Sequence, residues 1–221
     1  MTATSSRGPA ALDALDDDLL RKIAEHGDVR TYPPNSVIIN EGEQTDTFFI
    51  LLSGRVKVFG SDAEGNQIVY ASHGAGEYVG EMSLDGGART ASVVTTEKTT
   101  CAVVAGRHLR AFVAAHPDFA MNLIHKLIRR AREATESVKN LALLDVYGRI
   151  CVVLAALAAT SRPDERGALA IDGRYTQQDI ADRVGASREM VSRILKDLVT
   201  GGYLAIESGH ITILKKLPAH W

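Results

Sequence analysis

The sequence predicts an α+β protein in which an N-terminal β jelly roll is joined by a long helix to a C-terminal winged helix-turn-helix. Three patterns predict this fold: short β-type runs separated by glycines up to about residue 104, a heptad of apolar residues after Pro117, and two short helices around a tight turn over residues 176–199. The expected domains are residues 1–116, a dimerisation helix and hinge over 117–145, and the winged domain over 146–221.

Length and composition are those of an ordinary globular protein. The 221 residues suffice for two small domains, and 45% of them are hydrophobic against 24% charged. The N-terminus has no apolar run after a basic start, and the longest apolar stretch, residues 150–159, is too short to cross a bilayer. We therefore expect a cytoplasmic protein with no membrane partner.

Charge and cysteine content narrow the function further. Residues 1–120 carry 10 Lys and Arg against 16 Asp and Glu, whereas residues 121–221 carry 15 against 11. The basic second half is therefore the part expected to meet a polyanion such as DNA. Cys101 and Cys151 are the two cysteines and form no CxxC pair, which excludes a disulfide framework or a cysteine-only zinc site.

The β domain is predicted from alternating runs and turns. Residues 12–26 predict a short helix with Leu12, Leu15, Leu19 and Ile23 on one face. The β-type runs cover residues 36–40, 47–52, 55–59, 67–72, 90–95 and 101–104. The turn glycines between them are Gly42, Gly54, Gly65, Gly74 and Gly76. Short strands at this spacing are typical of an antiparallel sandwich or jelly roll.

A long helix follows residues 116–118, where Pro117 suits a first helical turn. Its apolar residues recur at alternating steps of four and three, which predicts a dimer seam. The seam consists of Ile124, Ile128, Ala131, Thr135, Val138 and Ala142. The alternative is that this face packs on the β domain, but a second apolar edge is available for that purpose: Leu123, Leu127, Leu141 and Leu144. Asp145 is predicted to end the helix.

A buried helix over residues 146–160 and a polar loop over 161–167 lead into the helix-turn-helix. Thr176 is the predicted N-cap of its first helix, Asp179 completes a capping-box-like start, and Gly185 permits the sharp turn. The residues predicted to face inward are Ile180, Ala181, Val184, Val191, Ile194 and Leu198. Residues 203–206 and 210–214 alternate around Ser208-Gly209 and predict a β-hairpin wing.

The second helix of this pair opens with side chains suited to reading base edges. Arg188 and Arg193 can grip guanine N7 and O6 with their forked guanidinium groups, and Glu189 can accept a hydrogen bond from the cytosine amino group. Gln178, Ser187 and Lys196 are expected to contact phosphates and so to set the register of the protein on DNA. Thr176 is also expected to belong to the DNA-binding surface. The alternative is an ordinary helical hairpin with a solvated charged face.

Two segments resemble the CRP/FNR family of bacterial transcription regulators. Residues 187–196, SREMVSRILK, resemble the family's recognition helix, and residues 140–150, NLALLDVYGRI, resemble its hinge. A looser similarity runs from Leu12 to Leu214. The resemblance implies a homodimer that binds double-stranded palindromic DNA with half-sites of the TGTGA class, bends it and contacts RNA polymerase.

Residues 76–91 carry the features of a phosphate cradle. Small residues followed by a helical turn expose backbone N–H groups, an arginine supplies the countercharge, and a glutamate can accept from sugar hydroxyls. The segment resembles the phosphate-binding cassette of cyclic-nucleotide-binding domains. The resemblance implies backbone and hydroxyl contacts from Gly80, Met82 and Ser83. It also implies that Glu81 accepts from the ribose 2′-OH, Arg89 binds the cyclic phosphate, and Thr90 adds a phosphate or base contact.

The cassette departs from the family pattern in ways that leave the effector open. Glu81 and Arg89 are eight residues apart, one or two fewer than usual, and Ala88 stands where proline is common. Ala134 and Thr135 stand where a Thr–Ser pair meets the base, so one hydroxyl is missing. The resemblance favours a cAMP-type cyclic nucleotide, with cGMP, cyclic di-GMP or no ligand as alternatives.

Other classes of function find less support. Two isolated cysteines cannot hold an iron–sulfur cluster, and the seven histidines show no metal spacing, although His73 is the one tempting candidate for a haem ligand. The alternative from a different class is a regulatory nucleotide-binding subunit of an enzyme. No GxSxG, HExxH or Walker motif appears, so we expect no catalytic activity.

Overall fold

The computed structural model describes residues 4–5, 18–159, 161–165 and 167–218. These residues form two compact units, one made of the described residues up to 62 together with 69–130, the other of 63–68 together with the described residues from 131 onwards. No helix among the described residues has both the length and the apolar character needed to cross a membrane.

The first unit is built on two antiparallel sheets. Its strands are β1 (Thr4–Ser5), β2 (Asp28–Tyr32), β3 (Val37–Ile39), β4 (Phe48–Ser53), β5 (Arg55–Ser61), β6 (Gln67–Gly74), β7 (Tyr78–Val79), β8 (Ser92–Thr95) and β9 (Thr99–Val104). Within the described residues one sheet has the order β1-β2-β9-β4-β7 and the other β3-β8-β5-β6. The predicted β domain is confirmed, and β1, β2 and β7 are additional to the predicted strands.

Strand β4 lies at the centre of this unit because both of its faces are buried. Phe48, Ile50 and Leu52 belong to a core shared with the helices, whereas Phe49 and Leu51 belong to a second core with residues of the other sheet. Alternate side chains of a strand point to opposite faces, so a run of five apolar residues is needed here. The unit therefore has two apolar layers, one on each side of β4.

Among the residues that the structure describes, three helices accompany the first unit: α1 (Asp18–Ala24), α2 (Gly106–Ala115) and α3 (Pro117–Leu143), the last of which continues into the second unit. Leu20, Ile23, Leu109, Phe112, Phe119 and Leu123 are buried in the core that contains one face of β4. The predicted helix over 12–26 is described from Asp18 only, and Leu12 and Leu15 lie outside the described residues. Helix α2 was not predicted.

The prediction that Asp145 ends the long helix is wrong. Helix α3 ends at Leu143, and Asp145 begins the next helix, α4 (Val146–Leu157), instead of ending the long one. The Asp145 side chain is the N-cap of α4, because its Oδ1 accepts a hydrogen bond from the Gly148 N–H at 2.7 Å. Helix α4 ends at Leu157, earlier than the predicted residue 160, and Thr160 lies outside the described residues.

The second unit contains the predicted winged helix-turn-helix. Its elements after α4 are β10 (Leu169–Ala170), α5 (Gln177–Val184), α6 (Arg188–Thr200), β11 (Leu204–Glu207) and β12 (His210–Ile213). Thr176 and Asp179 form a complete capping box on α5, and Gly185 ends that helix with a φ of +61°. All six residues predicted to face inward are buried, and they pack in one core with Tyr147, Ile150 and Leu154.

The wing is a three-stranded sheet with the order β10-β12-β11. Strands β11 and β12 pair in antiparallel register from Leu204–Ile213 to Glu207–His210. Ser208 and Gly209 both have positive φ, 50° and 85°, as the two central residues of a type I′ hairpin turn require. The predicted hairpin is thereby confirmed, with β10 as an additional strand.

Candidate ligand pocket and recognition helix

The predicted cassette folds as a tight turn followed by a 3₁₀ helix, Glu81–Asp85, between β7 and β8. Gly80 begins it with a φ of +91°, and a Cβ at this position would lie 2.7 Å from the Thr47 carbonyl oxygen and 2.9 Å from Arg89 Nη1. Only glycine fits this turn, because a side chain would be strained and would also displace Arg89. Gly80 therefore brings the backbone of the cassette against the arginine.

A pocket opens beside the cassette, with about 380 Å³ of space including the part open to solvent. Its walls are apolar on the sheet side and polar on the cassette side, a distribution typical of small-molecule sites. The lining residues are Ile39, Val58, Val79, Gly80, Glu81, Met82, Ser83, Arg89, Thr90, Ala91, Val93 and Arg130.

Arg89 is buried at the bottom of this arrangement, with 5% of its surface exposed. Its Nε donates to Thr45 Oγ1, its Nη1 to the Gly80 carbonyl and to Ser83 Oγ, and its Nη2 to the Thr47 carbonyl and Thr47 Oγ1, at 2.6–3.0 Å. These five bonds equal the number of guanidinium N–H groups. Burial lowers the pKa of Arg89, against the opposing effect of Asp46, Glu43 and Glu81.

Glu81 is also buried, with 2% of its surface exposed, and its two carboxylate oxygens differ. Oε1 accepts a hydrogen bond from Arg130 Nη1 in a partly buried ion pair. Oε2 is buried without a hydrogen-bond partner among the described residues. A carboxylate oxygen removed from water without a donor is costly, so a residue that lines the pocket carries an acceptor whose hydrogen bond is not formed.

Arg130 has further partners besides Glu81, among them the Tyr78 carbonyl, to which its Nη2 donates at 3.4 Å. Its Nη2 donates to His73 Nε2 at 3.1 Å, and His73 Nδ1 lies 3.0 Å from Glu77 Oε1. The other carboxylate oxygen of Glu77 accepts from the Gly74 N–H at 2.8 Å. The hydrogen bond from His73 lowers the pKa of Glu77 to about 2, assisted by the backbone bond from Gly74.

Lys126 lies one helical turn before Arg130. Its Nζ is 3.4 Å from the centre of the Tyr78 ring and 3.3 Å from the Tyr78 carbonyl oxygen. Burial lowers the pKa of Lys126 to about 8, and the neighbouring positive charge of Arg130 acts in the same direction. The carboxylates of Glu81 and Glu77 partly oppose this effect.

The other predicted ligand residues differ in how far they are exposed. Met82 is 53% exposed, and the Thr90 hydroxyl lies 3.5 Å from its sulfur. Ser83 is buried, and its hydroxyl donates to the Gly80 carbonyl as well as accepting from Arg89. Ala134 and Thr135 are exposed on α3, outside the set of residues that line the pocket, and the Thr135 hydroxyl donates to the Ala131 carbonyl.

The predicted dimer seam forms an exposed apolar stripe on the single chain. Ile124 and Ile128 are each 45% exposed and Val138 is 66% exposed. Ala131, Thr135 and Ala142 are also exposed. Of the second apolar edge, Leu123 is buried, whereas Leu127 and Leu141 are exposed.

In the second unit, the seven residues predicted to contact DNA are all exposed: Thr176, Gln178, Ser187, Arg188, Glu189, Arg193 and Lys196. Two of them also begin helices, because Thr176 Oγ1 accepts from the Asp179 N–H and Ser187 Oγ accepts from the Met190 N–H. The Gln178 amide donates to Asp182 at 2.6 Å. Arg188, Glu189 and Arg193 lie within the first two turns of α6, where one helix face can present them together.

Arg149 connects the hinge to the turn of the helix-turn-helix. From helix α4 it donates to the Leu144 carbonyl at 2.9 Å and to the Val184 carbonyl at 2.7 Å, and its second Nη lies 3.5 Å from the Gly185 carbonyl. Val184 and Gly185 are the last residue and the C-cap of α5, whose carbonyls lack partners within their own helix. Arg149 thus donates both to a carbonyl that precedes α4 in the chain and to carbonyls at the end of α5.

Several residues of these sites were not predicted from the sequence. They are Arg130, the pair His73 and Glu77, the threonines that accept from Arg89, and Arg149 at the hinge. For Arg130 a signal was present, since it falls off the apolar seam of α3. Its partners, however, lie 49 and 57 residues away along the chain, and no local spacing relates them. Both ring nitrogens of His73 are engaged in hydrogen bonds, an arrangement that leaves neither for a haem iron.

Among the described residues, no group of three or more His, Cys, Asp or Glu side chains is arranged to hold a metal ion. The polar chemistry of the pocket is that of arginine, carboxylate and hydroxyl groups. Such groups recognise a phosphate and a sugar by charge and by hydrogen bonds.

Comparison with known proteins gives two family matches. Residues 29–116 match the model of the cyclic nucleotide-binding domain, and residues 148–216 match that of the Crp-like helix-turn-helix domain. The first match contains the pocket except for Arg130, and the second contains α5, α6 and the wing.

Other proteins are similar to most of the chain. The chain is 34% identical over 188 residues to the cAMP-activated global transcriptional regulator CRP of Salmonella typhimurium, covering 82% of this chain and 87% of that protein. It is 32% identical over 183 residues to a CRP-like cAMP-activated regulator of Mycobacterium tuberculosis, covering 82% of each. The solved structure of the c-di-GMP responsive regulator CLP of Xanthomonas campestris superposes with a TM-score of 0.77 at 26% identity, covering 89% of this chain and 98% of that one.

Proposed function

We propose that this chain, which belongs to the CRP/FNR family of transcriptional regulators, is a homodimeric, sequence-specific DNA-binding regulator controlled by a cyclic mononucleotide, with cAMP the favoured effector. The observation that carries the proposal is the buried, unpartnered Oε2 of Glu81, in a pocket that also contains Arg89 and Arg130. A ribose 2′-OH would supply the hydrogen bond that this oxygen lacks.

The charges of the pocket favour one phosphodiester over two. Its lining contains two arginines and one glutamate, a formal net charge of +1. A 3′,5′-cyclic mononucleotide carries one negative charge and balances this, whereas cyclic di-GMP carries two and would leave an excess. Because an uncompensated buried charge is costly, a mononucleotide fits better.

Arg89 is the residue assigned to the phosphate, and it would exchange partners on binding. Three of its five acceptors are the hydroxyls of Thr45, Thr47 and Ser83, which can rotate to new partners or donate to the phosphate themselves. A phosphate oxygen in their place would give Arg89 an anionic acceptor and a stronger, charge-assisted bond. Gly80, Met82 and Thr90 would complete the contacts at the rim.

Recognition of DNA is assigned to the exposed face of α6. Arg188, Glu189 and Arg193 would read base edges in a palindromic site, and the phosphates on either side would be contacted by Thr176, Gln178, Ser187 and Lys196. The exposed stripe on α3 supports a homodimer, since a second copy would cover it, and Ala134 and Thr135 would then approach the effector. The proposal assigns residues 1–116 to effector binding, 117–145 to dimerisation and the hinge, and 146–221 to DNA.

Three further parts of the proposal follow from the family. The chain would act in the cytoplasm, would contact RNA polymerase at promoters, and would have no catalytic activity. Cyclic di-GMP is the second candidate effector, because the structural relative of Xanthomonas campestris responds to it.

Calorimetric titration of the protein with cAMP, cGMP and cyclic di-GMP tests the proposal. We expect cAMP to bind most tightly, and Glu81→Gln to weaken it about tenfold, because the amide replaces a charged acceptor by a weaker one and disturbs the pairing with Arg130. The matched control is Glu97→Gln, an exposed glutamate outside the pocket, with no expected change. Binding of cyclic di-GMP alone, or an unchanged affinity of Glu81→Gln, would contradict the assignment.

A further inference from the structure

Behind the pocket, a chain of hydrogen bonds leads from the backbone of Gly74 to Glu81. Glu77 accepts from the Gly74 N–H and contacts His73, His73 contacts Arg130, and Arg130 donates to Glu81. His73 is 7% exposed, so water does not replace these partners easily. The position of Glu81 therefore depends on a residue that does not itself line the pocket.

The contacts of His73 are compatible with one protonation state of the ring. Arg130 can only donate, so His73 Nε2 must accept; the Glu77 carboxylate accepts, so His73 Nδ1 must carry the proton. The neutral Nδ1–H tautomer satisfies both contacts. A doubly protonated ring would turn an N–H toward the N–H of Arg130 and place two positive charges side by side.

We propose that His73 is a positioning residue of the effector pocket, whose neutral ring holds Arg130 against Glu81 and whose protonation weakens effector binding. This inference rests on the proposed function, since it concerns the same pocket. When the ring is protonated, Arg130 Nη2 loses His73 Nε2 as an acceptor and keeps the weaker bond to the Tyr78 carbonyl at 3.4 Å, while the two positive charges repel each other. The pairing of Arg130 with Glu81, which orients the second oxygen of Glu81 toward the ligand, is weakened with it. The pH dependence of effector binding therefore tests this role of the His73 ring.

The other charged groups around His73 leave a window in which its protonation can be isolated. Glu77, with a pKa of about 2, stays ionised down to pH 5, and Lys126, with a pKa of about 8, is mostly charged at pH 7. The other charged side chains nearby are those of Arg55, Arg129 and Arg130 and the carboxylate of Glu81, which is ion-paired with Arg130. Measurements between pH 7 and pH 5.5 therefore avoid the titration of Lys126 and Glu77.

The experiment compares the affinity for cAMP at pH 7 and pH 5.5 in three proteins. We expect the affinity of the unmodified protein to fall about tenfold across this interval, the effect of losing one hydrogen bond to a charged group. His73→Gln should show little slope, because the glutamine amide can accept from Arg130 and donate to Glu77 but does not titrate. His125→Gln, which replaces an exposed histidine on helix α3, the helix that carries Arg130, should keep the full slope.

A second measurement does not need the ligand. The ¹⁵N chemical shifts of the His73 ring at pH 7 should report a protonated Nδ1 and an unprotonated, hydrogen-bonded Nε2, and Arg130→Met should move the Nε2 resonance. An Nε2–H tautomer, or no response to Arg130→Met, would overturn the inference. An equal pH slope in His73→Gln and the unmodified protein would overturn it while leaving the proposed function intact. Absence of nucleotide binding at both pH values would refute the proposed function and the pH effect with it, and the ring shifts would still decide whether His73 holds Arg130.

Discussion

Replacing Arg89 with methionine is expected to remove effector binding at a small cost in stability. Methionine fills much of the same buried space without charge or donors. Arg89 donates to the carbonyls of Gly80 and Thr47. In the variant the Gly80 carbonyl still accepts from the Ser83 hydroxyl, whereas the Thr47 carbonyl loses its bond from Nη2. The three hydroxyl acceptors can find other partners by rotation.

The magnitudes for stability and binding differ enough to be separated. One buried carbonyl without its donor costs about 1–3 kcal/mol, and removal of a cation whose burial is itself unfavourable offsets part of it. We expect a net loss of about 1–2 kcal/mol, which corresponds to a few degrees in Tm for a chain of this size. Loss of two charge-assisted bonds to phosphate, at about 1.5–3 kcal/mol each, should weaken binding by more than a hundredfold.

Titration calorimetry with cAMP measures the binding and differential scanning fluorimetry the Tm. Arg107→Met is the matched control, because Arg107 is exposed and lies outside the pocket. Two results would contradict this role of Arg89. Binding within threefold of the unmodified protein would show that Arg89 does not hold the phosphate, and a fall in Tm beyond about 10 °C would show that its cradle is chiefly structural.

Four further predictions concern the seam, the DNA surface, the hinge and the base contact. Val138→Glu should dissociate the dimer in sedimentation experiments, because it buries an unpaired charge in the seam; an unchanged dimer would exclude that seam. Arg188→Ala should cost about 1–3 kcal/mol on specific DNA and relax the preference at one guanine, whereas Lys196→Ala should weaken all sequences alike; equal losses on specific and random duplexes would argue against base contact by Arg188. Arg149→Met should lower the free energy of unfolding by about 2 kcal/mol and weaken specific DNA binding while cAMP affinity is retained, since it removes donors from carbonyls on both sides of α4; wild-type stability would contradict that role. Ala134→Thr should tighten cAMP about 2–10-fold by adding one hydrogen bond and leave cyclic di-GMP unaffected; equal gains for both ligands would not fit.

The helix-turn-helix could be predicted from sequence because its signals are local. Thr176 and Asp179 define a helix start within four residues. Gly185 marks the end of that helix, because glycine adopts the φ of +61° found there without strain. The apolar spacing then assigns the buried face. Asp145 shows the limit of such signals, because the same residue type can follow one helix and cap the next.

The pocket was predictable only in part because its polar contacts join distant segments. The residue types of the segment 76–91 and its resemblance to the family identified the cassette, but nothing in that segment indicates that Arg89 lies among the hydroxyls of Thr45 and Thr47. Arg130 approaches Glu81 from a helix that the sequence assigned to dimerisation. Such contacts are set by how α3 packs on the sheets, which depends on Phe119 and Leu123 in the core.

Control of DNA binding by an effector can be measured as the affinity for DNA with and without the nucleotide. Fluorescence anisotropy would follow a labelled duplex with a TGTGA-type palindrome, and a scrambled duplex would serve as control, at fixed salt. We expect saturating cAMP to change the affinity for the palindrome by about 5–150-fold, the range of allosteric coupling, and Arg89→Met to abolish the change. An affinity for the palindrome that stays the same with cAMP, cGMP or cyclic di-GMP would contradict control by an effector.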